Sequence, residues 1–395
     1  MKEADSPRIL IIGAGVMGAA SAYFLAARHG VRATLLERDL SFARASSARS
    51  ASSIRQQFTT AVNIELSRRS WQFLAQAAEA LAVDGIAPAL ALEERGYLYL
   101  ATEAQRESLW QRYRFQREQG VAVRWLEARE LAAQWPWLIV EDLAAGVWGE
   151  REEGWFDGPA LHAAFLRKAR SLGVRLERVT VNRLIADGRR VVAVETAEGE
   201  RMAADAVLVA AGAWSGALVA TLGDVLPIAP KKRDVFVLDS PARLERCPLV
   251  IDPSGVWFRP EGGGFLAGAP PRARPGEPLD PDEAPLEAID YGLFDAVIWP
   301  ALARRVVGFE ALRVRSAWAG YYEMSGFDHN AFVGPWPGVE GLWVAAGFSG
   351  HGMQQAPAVG EAVALMIVGE SVPWLAPLSP MRFFEGRPLV EGNVI

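Results

Sequence analysis

The sequence predicts an α/β (α+β) chain in which one Rossmann-like nucleotide-binding domain, assembled from distant pieces, is interleaved with a second, strand-rich domain. Three observations predict it. The stretch "ILIIGAGVMGAASAYFLAA", Ile9 to Ala27, reads as strand, glycine turn and helix, with G-x-G-x-x-G at Gly13, Gly15 and Gly18. The same order recurs in "ADAVLVAAGAWSGALV" from Ala204 and in "GLWVAAGFSGHGMQQAPAVGEAVALMIVG" from Gly341. The stretches between these units carry short strand-like runs, and units so widely separated cannot form one contiguous small domain.

The first unit is the most specific. A β-branched run at Ile9–Ile12 suits a buried strand. The first glycine makes a tight turn, the second lets backbone approach a pyrophosphate, and the third lets helix pack close to strand. The helix start then offers unpaired N–H groups to phosphate. A second β-run, "RATLLER", ends in Glu37, where an acidic residue hydrogen-bonds an adenosine ribose. A membrane helix needs about 20 residues in one helical state, which the glycine turn interrupts. The mixed charges of Met1–Arg8 do not suit a signal peptide.

Further along, His29-Gly30 stops the first helix. "RASSARSASSIRQQF", Arg44–Phe58, is too poor in apolar residues to be a core element. Asn63–Ala82 has helical periodicity, Arg95–Ala101 alternates like a strand, and Glu103–Gln119 is a charged amphipathic helix. Gly158–Leu172 reads as a helix, followed by strand-like runs at Val174–Leu184 and Val191–Thr196. Pro-rich segments fall at Pro227–Pro230 and Ala269–Pro285. Asp290–Arg305 is helical, with Pro300 expected to kink or end it.

Composition narrows the function. The chain has 395 residues, 51% of them hydrophobic, and a net charge of −6, so nothing suggests a nucleic-acid surface. A single cysteine, Cys247, excludes an internal disulfide and a cysteine-rich metal site. The four histidines lie far apart, so no metal site is expected. With no targeting segment and no membrane span, the expected compartment is the cytoplasm.

The segments "GAGVMGAASAYFLA…ER", "SSIRQQF", "VLVAAGAWS", "LFDAVIWPALARRV", "SAWAGYY" and "GFSGHGMQQAPAVGE" occur in an order that runs nearly end to end. Together they resemble the FAD-dependent oxidoreductases of the D-amino-acid oxidase group, in particular the sarcosine oxidase, glycine oxidase and dimethylglycine dehydrogenase branch. The resemblance implies a Rossmann-like FAD-binding domain over 1–84, 142–228 and 325–395. It implies a mixed antiparallel β-sheet substrate domain over 85–141 and 229–324. FAD would lie on Gly13, Gly15, Val16, Met17, Gly18, Glu37 and Arg38, with Ser46, Ser47, Ser52 and Ser53 near the pyrophosphate. The backbone of Val181 would hold the adenine, and Ala211, Gly212 and Trp214 would follow the cofactor. Gly347, Gly350, His351, Gly352 and Met353 would meet the isoalloxazine. There, a helix start favours the negative charge of a reduced flavin.

The departures from the group's pattern are informative. Covalent attachment in relatives uses a Cys near "SAWAGYY" or a His near Ser47, and this chain has neither, so FAD is expected to be non-covalent. Basic residues of the group are replaced by Tyr322 and Gln354, and an oxygen-assisting lysine falls at Leu266. Arg55 matches the arginine that binds the substrate carboxylate, with Arg259 as the other candidate and Tyr321 and Tyr322 as candidates to orient the amine. Together with His351 and Gln354 these form the expected catalytic set.

The implied function is oxidation of the C–N bond of a small amino acid or N-substituted glycine (sarcosine, glycine, dimethylglycine or iminodiacetate-like), by hydride transfer to flavin N5 and hydrolysis of the imine. An NAD-dependent dehydrogenase and an inert flavin-bearing assembly protein are the alternatives. The expected partners are a small-molecule amine or amino acid and, beside it, an electron-acceptor protein or a second copy of the chain.

Overall fold

The computed structural model describes residues 7–270 and 285–394. Most of the Pro-rich stretch predicted at Ala269–Pro285 lies outside them. The three strand–glycine–helix units do meet in one sheet. Its six strands run in the order Phe332–Pro335, Leu342–Ala346, Ala206–Val209, Ile9–Ile12, Thr34–Glu37, Arg175–Arg178. All neighbours are parallel except the edge strand Phe332–Pro335. Parallel pairing places the turns after Ile12, Val209 and Ala346 at one carboxyl edge, where open α/β sheets bind ligands.

Burial on both faces follows from the period of two. Ile9, Ile11, Ala206 and Leu208 pack with the helices Val16–His29, Gly158–Ser171 and Gly352–Ile367. Leu10, Ile12, Val207 and Val209 point the other way. They meet Leu184, Val191 and Val194 of a three-stranded antiparallel sheet, Val181–Asp187, Arg190–Thr196 and Arg201–Ala203. Continuous apolar runs are what such a two-sided strand requires.

The second sheet has eight strands, in the order Arg313–Ser325, Ile228–Asp239, Gly264–Gly268, Trp257–Glu261, Leu249–Ile251, Tyr97–Ala101, Ala145–Gly149, Val123–Glu127. Its pairs are antiparallel except Leu249–Ile251 with Tyr97–Ala101. Leu98 and Leu100 face a core shared with Phe294, Ile298 and Leu302. Tyr97 and Tyr99 face the opposite way, toward Phe58 and Ile64. The strand Ala145–Gly149 pairs here, past the boundary drawn at 142 from the sequence, because its backbone groups complete the ladders of Tyr97–Ala101 and Val123–Glu127.

Local readings were adjusted by tertiary contacts. The polar stretch at 44–58 contains a short 3₁₀ turn, Ser46–Ala48, and a strand, Ser53–Ile54, which pairs with Gly154–Trp155. The helix read over 63–82 is two, Ala61–Leu74 and Ala77–Ala80. Pro300 does not end its helix. The helical run is unbroken from Tyr291 to Arg305, and the π-turn Phe294–Ile298 lies directly before the proline, the kind of local irregularity by which a helix accommodates a missing N–H.

Candidate active site

A cavity of about 790 Å³ opens between the carboxyl edge of the six-stranded sheet and the Tyr97 face of the larger one. Such a volume suits a cofactor-sized ligand. At one end lies Glu37, whose Oε2 accepts the N–H of Ala14 at 2.9 Å and whose Oε1 accepts that of Asp39 at 3.0 Å. A carboxylate has about four lone-pair sites, so acceptor capacity remains for ribose hydroxyls. Arg38 lies over the Trp214 ring, 4.1 Å from its centroid, and both line the cavity with Val181.

Next come the helix start and the serines. Val16 N–H donates to Ser47 Oγ at 2.8 Å, which leaves the Ser47 proton for an acceptor in the cavity. A Cβ at Gly15 would meet only that oxygen, at 3.2 Å, so Gly15 borders open space. A Cβ at Gly18 would fall 1.9 Å from the Gly13 carbonyl oxygen. Gly18 thus serves helix-on-strand packing and does not line the cavity. Ser46 Oγ donates to the Tyr321 carbonyl at 2.7 Å, tying the loop to the larger sheet. Met17, Ser52, Ser53, Ala211 and Gly212 also line the cavity.

The far end carries the side chains expected to do chemistry. Gly350, His351, Gly352, Met353 and Gln354 line it, and a Cβ at Gly350 would come within 2.3 Å of the Tyr322 ring. Gly347 stands behind. Its N–H donates to the Glu323 carboxylate at 3.1 Å, as does that of Phe348. Part of the N–H array expected to face a flavin is therefore engaged by a carboxylate of the chain. Burial pushes Glu323 up to about 7, against those two hydrogen bonds.

Arg55 is 3% exposed and lines the same end. Its Nη2 donates to the Asn393 carbonyl and lies 3.3 Å from His351 Nε2, while Nε lies 3.4 Å from the Gln57 carbonyl. Its main-chain N–H donates to Gln354 Oε1 at 2.9 Å. Gln354 is therefore a brace for Arg55. Burial and, next, the Arg55 cation hold the His351 imidazolium well below its usual range, so the ring is neutral.

Arg259 is equally buried but committed. It pairs with Glu261, donates to the Pro260 carbonyl at 3.0 Å and to the Ala51 carbonyl at 2.7 Å. It ties the 50–53 loop to the sheet. Tyr321 is buried, accepts a hydrogen bond from Arg44 at 3.0 Å and meets Trp214 edge-on. Tyr322 is half-buried beneath Arg233, whose guanidinium carbon is 4.7 Å from the ring centre. Leu266 stands opposite Arg259 in the ladder, buried, and does not line the cavity.

Glu323, Arg44 and Asn393 were not picked out by sequence reasoning. Glu323 follows directly on Tyr321-Tyr322, and a lone acid inside a long strand was the available signal. Asn393 had none. Among the described residues no group of His, Cys, Asp or Glu forms a metal site, and no helix is long and apolar enough to cross a membrane.

The residues present fit FAD: a ribose-type acceptor at one end, a serine-lined helix start in the middle, and a glycine-rich helix start at the other. Comparison with known proteins agrees. The chain is 38% identical to a Bos taurus protein called FAD-dependent oxidoreductase domain-containing protein 1, over 98% of this chain and 87% of that one. Its structure superposes on L-proline dehydrogenase from P. horikoshii with a TM-score of 0.84 at 26% identity, covering 97% and 99% of the two chains. It also superposes on glycine oxidase from Geobacillus kaustophilus, with a TM-score of 0.80 at 28% identity over 94% and 98%. The profile of the DAO family, described as FAD dependent oxidoreductase, matches residues 8–366, which favours FAD over the NAD alternative. On that match and the end-to-end similarity, the chain belongs to the DAO family of FAD-dependent oxidoreductases.

Proposed function

We propose that this enzyme oxidises the C–N bond of a small amino acid or N-substituted glycine, with the substrate's carboxylate held by Arg55. One observation carries the reading. Arg55 is a buried guanidinium lining the cavity whose partners (Gln57, Asn393 and His351) are all neutral. Its electrostatic neighbour Glu153 does not hydrogen-bond it, and a buried charge with no carboxylate in contact is costly, so a substrate carboxylate would supply that contact. Glycine oxidase and L-proline dehydrogenase, named for amino-acid substrates, support the same class.

When bound, FAD supplies the acceptor for the hydride released as the neutral amine's lone pair closes the C=N bond, and water then hydrolyses the imine. Arg55 Nη1 carries no protein hydrogen bond among the described residues, so its two N–H groups are the ones to meet the carboxylate. His351, being neutral, adds no competing charge and accepts one N–H of Arg55. Tyr321, whose hydroxyl accepts from Arg44, and Tyr322 both line the cavity, and we assign them to orienting the amine. No side chain need act as a base if the amine arrives deprotonated.

The test is an anaerobic screen for bleaching of flavin absorption, with glycine, proline and N-methylated glycines set against the corresponding amines without a carboxylate. Bleaching by the acids is expected. Bleaching only by the carboxylate-free amines would sink the reading, and bleaching by neither would revive the inert assembly protein.

A further inference from the structure

The segment Leu389–Asn393 lies along the Arg55–Asn63 stretch and touches the guanidinium itself. Its anchor is Glu391, 0% exposed. The Glu391 carboxylate accepts the Thr59 N–H at 3.0 Å, the Thr59 and Thr60 hydroxyls at 2.7 and 2.9 Å, and Asn63 Nδ2 at 3.1 Å. It also accepts the N–H of Asn393 at 2.9 Å, fixing the residue that follows it by two. A buried carboxylate with this many donors is fully satisfied.

Asn393 is then held on all sides. Its Nδ2 donates to the Gln57 carbonyl at 2.5 Å, and its Oδ1 accepts from Arg112 Nη1 at 3.1 Å. Its carbonyl accepts Arg55 Nη2. The Gln57 carbonyl in turn receives Arg55 Nε, so Asn393 braces the other acceptor of the same guanidinium. A guanidinium has five N–H donors in a rigid fork. Three of them go to Asn393, Gln57 and His351, and the two on Nη1 are left. Phe58 supports the plane, its ring centre 4.4 Å from the guanidinium carbon.

We propose that Asn393, fixed by Glu391, is a positioning residue for Arg55: the 389–393 strap fixes the guanidinium by neutral contacts and leaves the Nη1 edge for a carboxylate. This rests on the reading that Arg55 anchors the substrate. It replaces a two-nitrogen fork by an anchor through one nitrogen. The strap's one carboxylate, Glu391, is taken up by Thr59, Thr60, Asn63 and the Asn393 N–H and does not touch the guanidinium.

The experiment is calorimetric titration of the FAD-loaded enzyme with acetate, a carboxylate with no amine to oxidise. Wild type should bind it and Arg55→Ala should not. Asn393→Ala removes that residue's two side-chain contacts, to Gln57 and Arg112, and leaves the Glu391 anchor in place. It should weaken acetate about tenfold, with FAD content and melting temperature close to wild type. The double variant Arg55→Ala/Asn393→Ala should lose no more acetate affinity than Arg55→Ala alone, which a general loosening of the fold would not produce. If Asn393→Ala does not fold, Arg112→Ala, which removes only the outer contact, should weaken acetate in the same direction. Acetate affinity unchanged in the strap variants while Arg55→Ala has lost it overturns the strap's role alone. A wild type that does not bind acetate overturns both the anchor and the strap.

Discussion

Arg55 and His351 share a hydrogen bond in the lining of the cavity, Nη2 to Nε2 at 3.3 Å. A guanidinium only donates, so His351 accepts through Nε2 and is the neutral Nδ1–H tautomer. Burial disfavours the imidazolium, and the neighbouring cation adds to that. The pair is therefore one fixed positive charge with a neutral companion.

Removing that charge should be the most damaging single change at the site. Truncating one partner of a desolvated charge pair costs roughly 2–5 kcal/mol. Arg55→Ala should lower kcat/KM by about 30-fold to a few thousand-fold while FAD content stays normal. Arg55→Lys should recover only part, because an ammonium cannot serve Gln57, Asn393 and His351 as the fork does. Steady-state kinetics on whichever acid bleaches the flavin decides it, and a change within twofold would place the anchor elsewhere.

Glu37 should govern cofactor affinity. A hydrogen bond to a charged acceptor contributes roughly 1.5–3 kcal/mol, so Glu37→Ala should weaken FAD by about one to two orders of magnitude. The variant also frees the N–H groups of Ala14 and Asp39. The dissociation constant of FAD measures the effect, and an unchanged value contradicts it.

FAD should leave the denatured protein. The only cysteine is buried far along the chain at Cys247, and no histidine lies in residues 44–58. Acid precipitation should put all the flavin in the supernatant. Flavin retained in the pellet would reveal a covalent link.

Glu323 should make the flavin's midpoint potential depend on pH. Its carboxyl is pushed up to about 7 and lines the cavity, 3.6 Å from where a Cβ of Gly352 would sit. Once ionised, it opposes the arrival of negative charge. Glu323→Gln should therefore raise the potential at pH 8 and change it little at pH 5.5. Equal shifts at both pH values would show that the charge is not the cause.

Glu153 should tilt stability with pH. It is fully buried, accepts the Gln56 N–H at 2.7 Å and Gln57 Nε2 at 2.8 Å, and burial still lifts it to about 7 from an ordinary 4.5. A carboxyl raised on folding stabilises most below its unfolded pKa and loses that contribution as pH rises through the folded value. Between pH 5 and 8 the loss is on the order of 1–3 kcal/mol. Glu323 tilts stability the same way, so Glu153→Gln should flatten the fall in melting temperature over that interval only in part. A slope identical to wild type would mean that Glu153 stays ionised throughout.

The sequence by itself determined the Gly13–Glu37 end of the cavity. Gly13, Gly15, Gly18 and Glu37 fall within 25 residues, and their roles depend on local backbone: a turn, a helix start, a strand end. Burial of Ile9–Ile12 on both faces was likewise legible, because a two-sided strand needs an unbroken apolar run. Arg55 was legible only through resemblance, and its surroundings were not legible at all. Its main-chain N–H meets Gln354 across 299 positions, and its side chain meets Asn393 across 338. Residue type says nothing about partners so distant, since a buried polar group takes whichever acceptor the packed chain brings within reach. The same reason hid Glu153 and Glu323, whose environments are made by other segments. It also placed Ala145–Gly149 in the larger sheet, where two neighbouring strands supplied its hydrogen bonds.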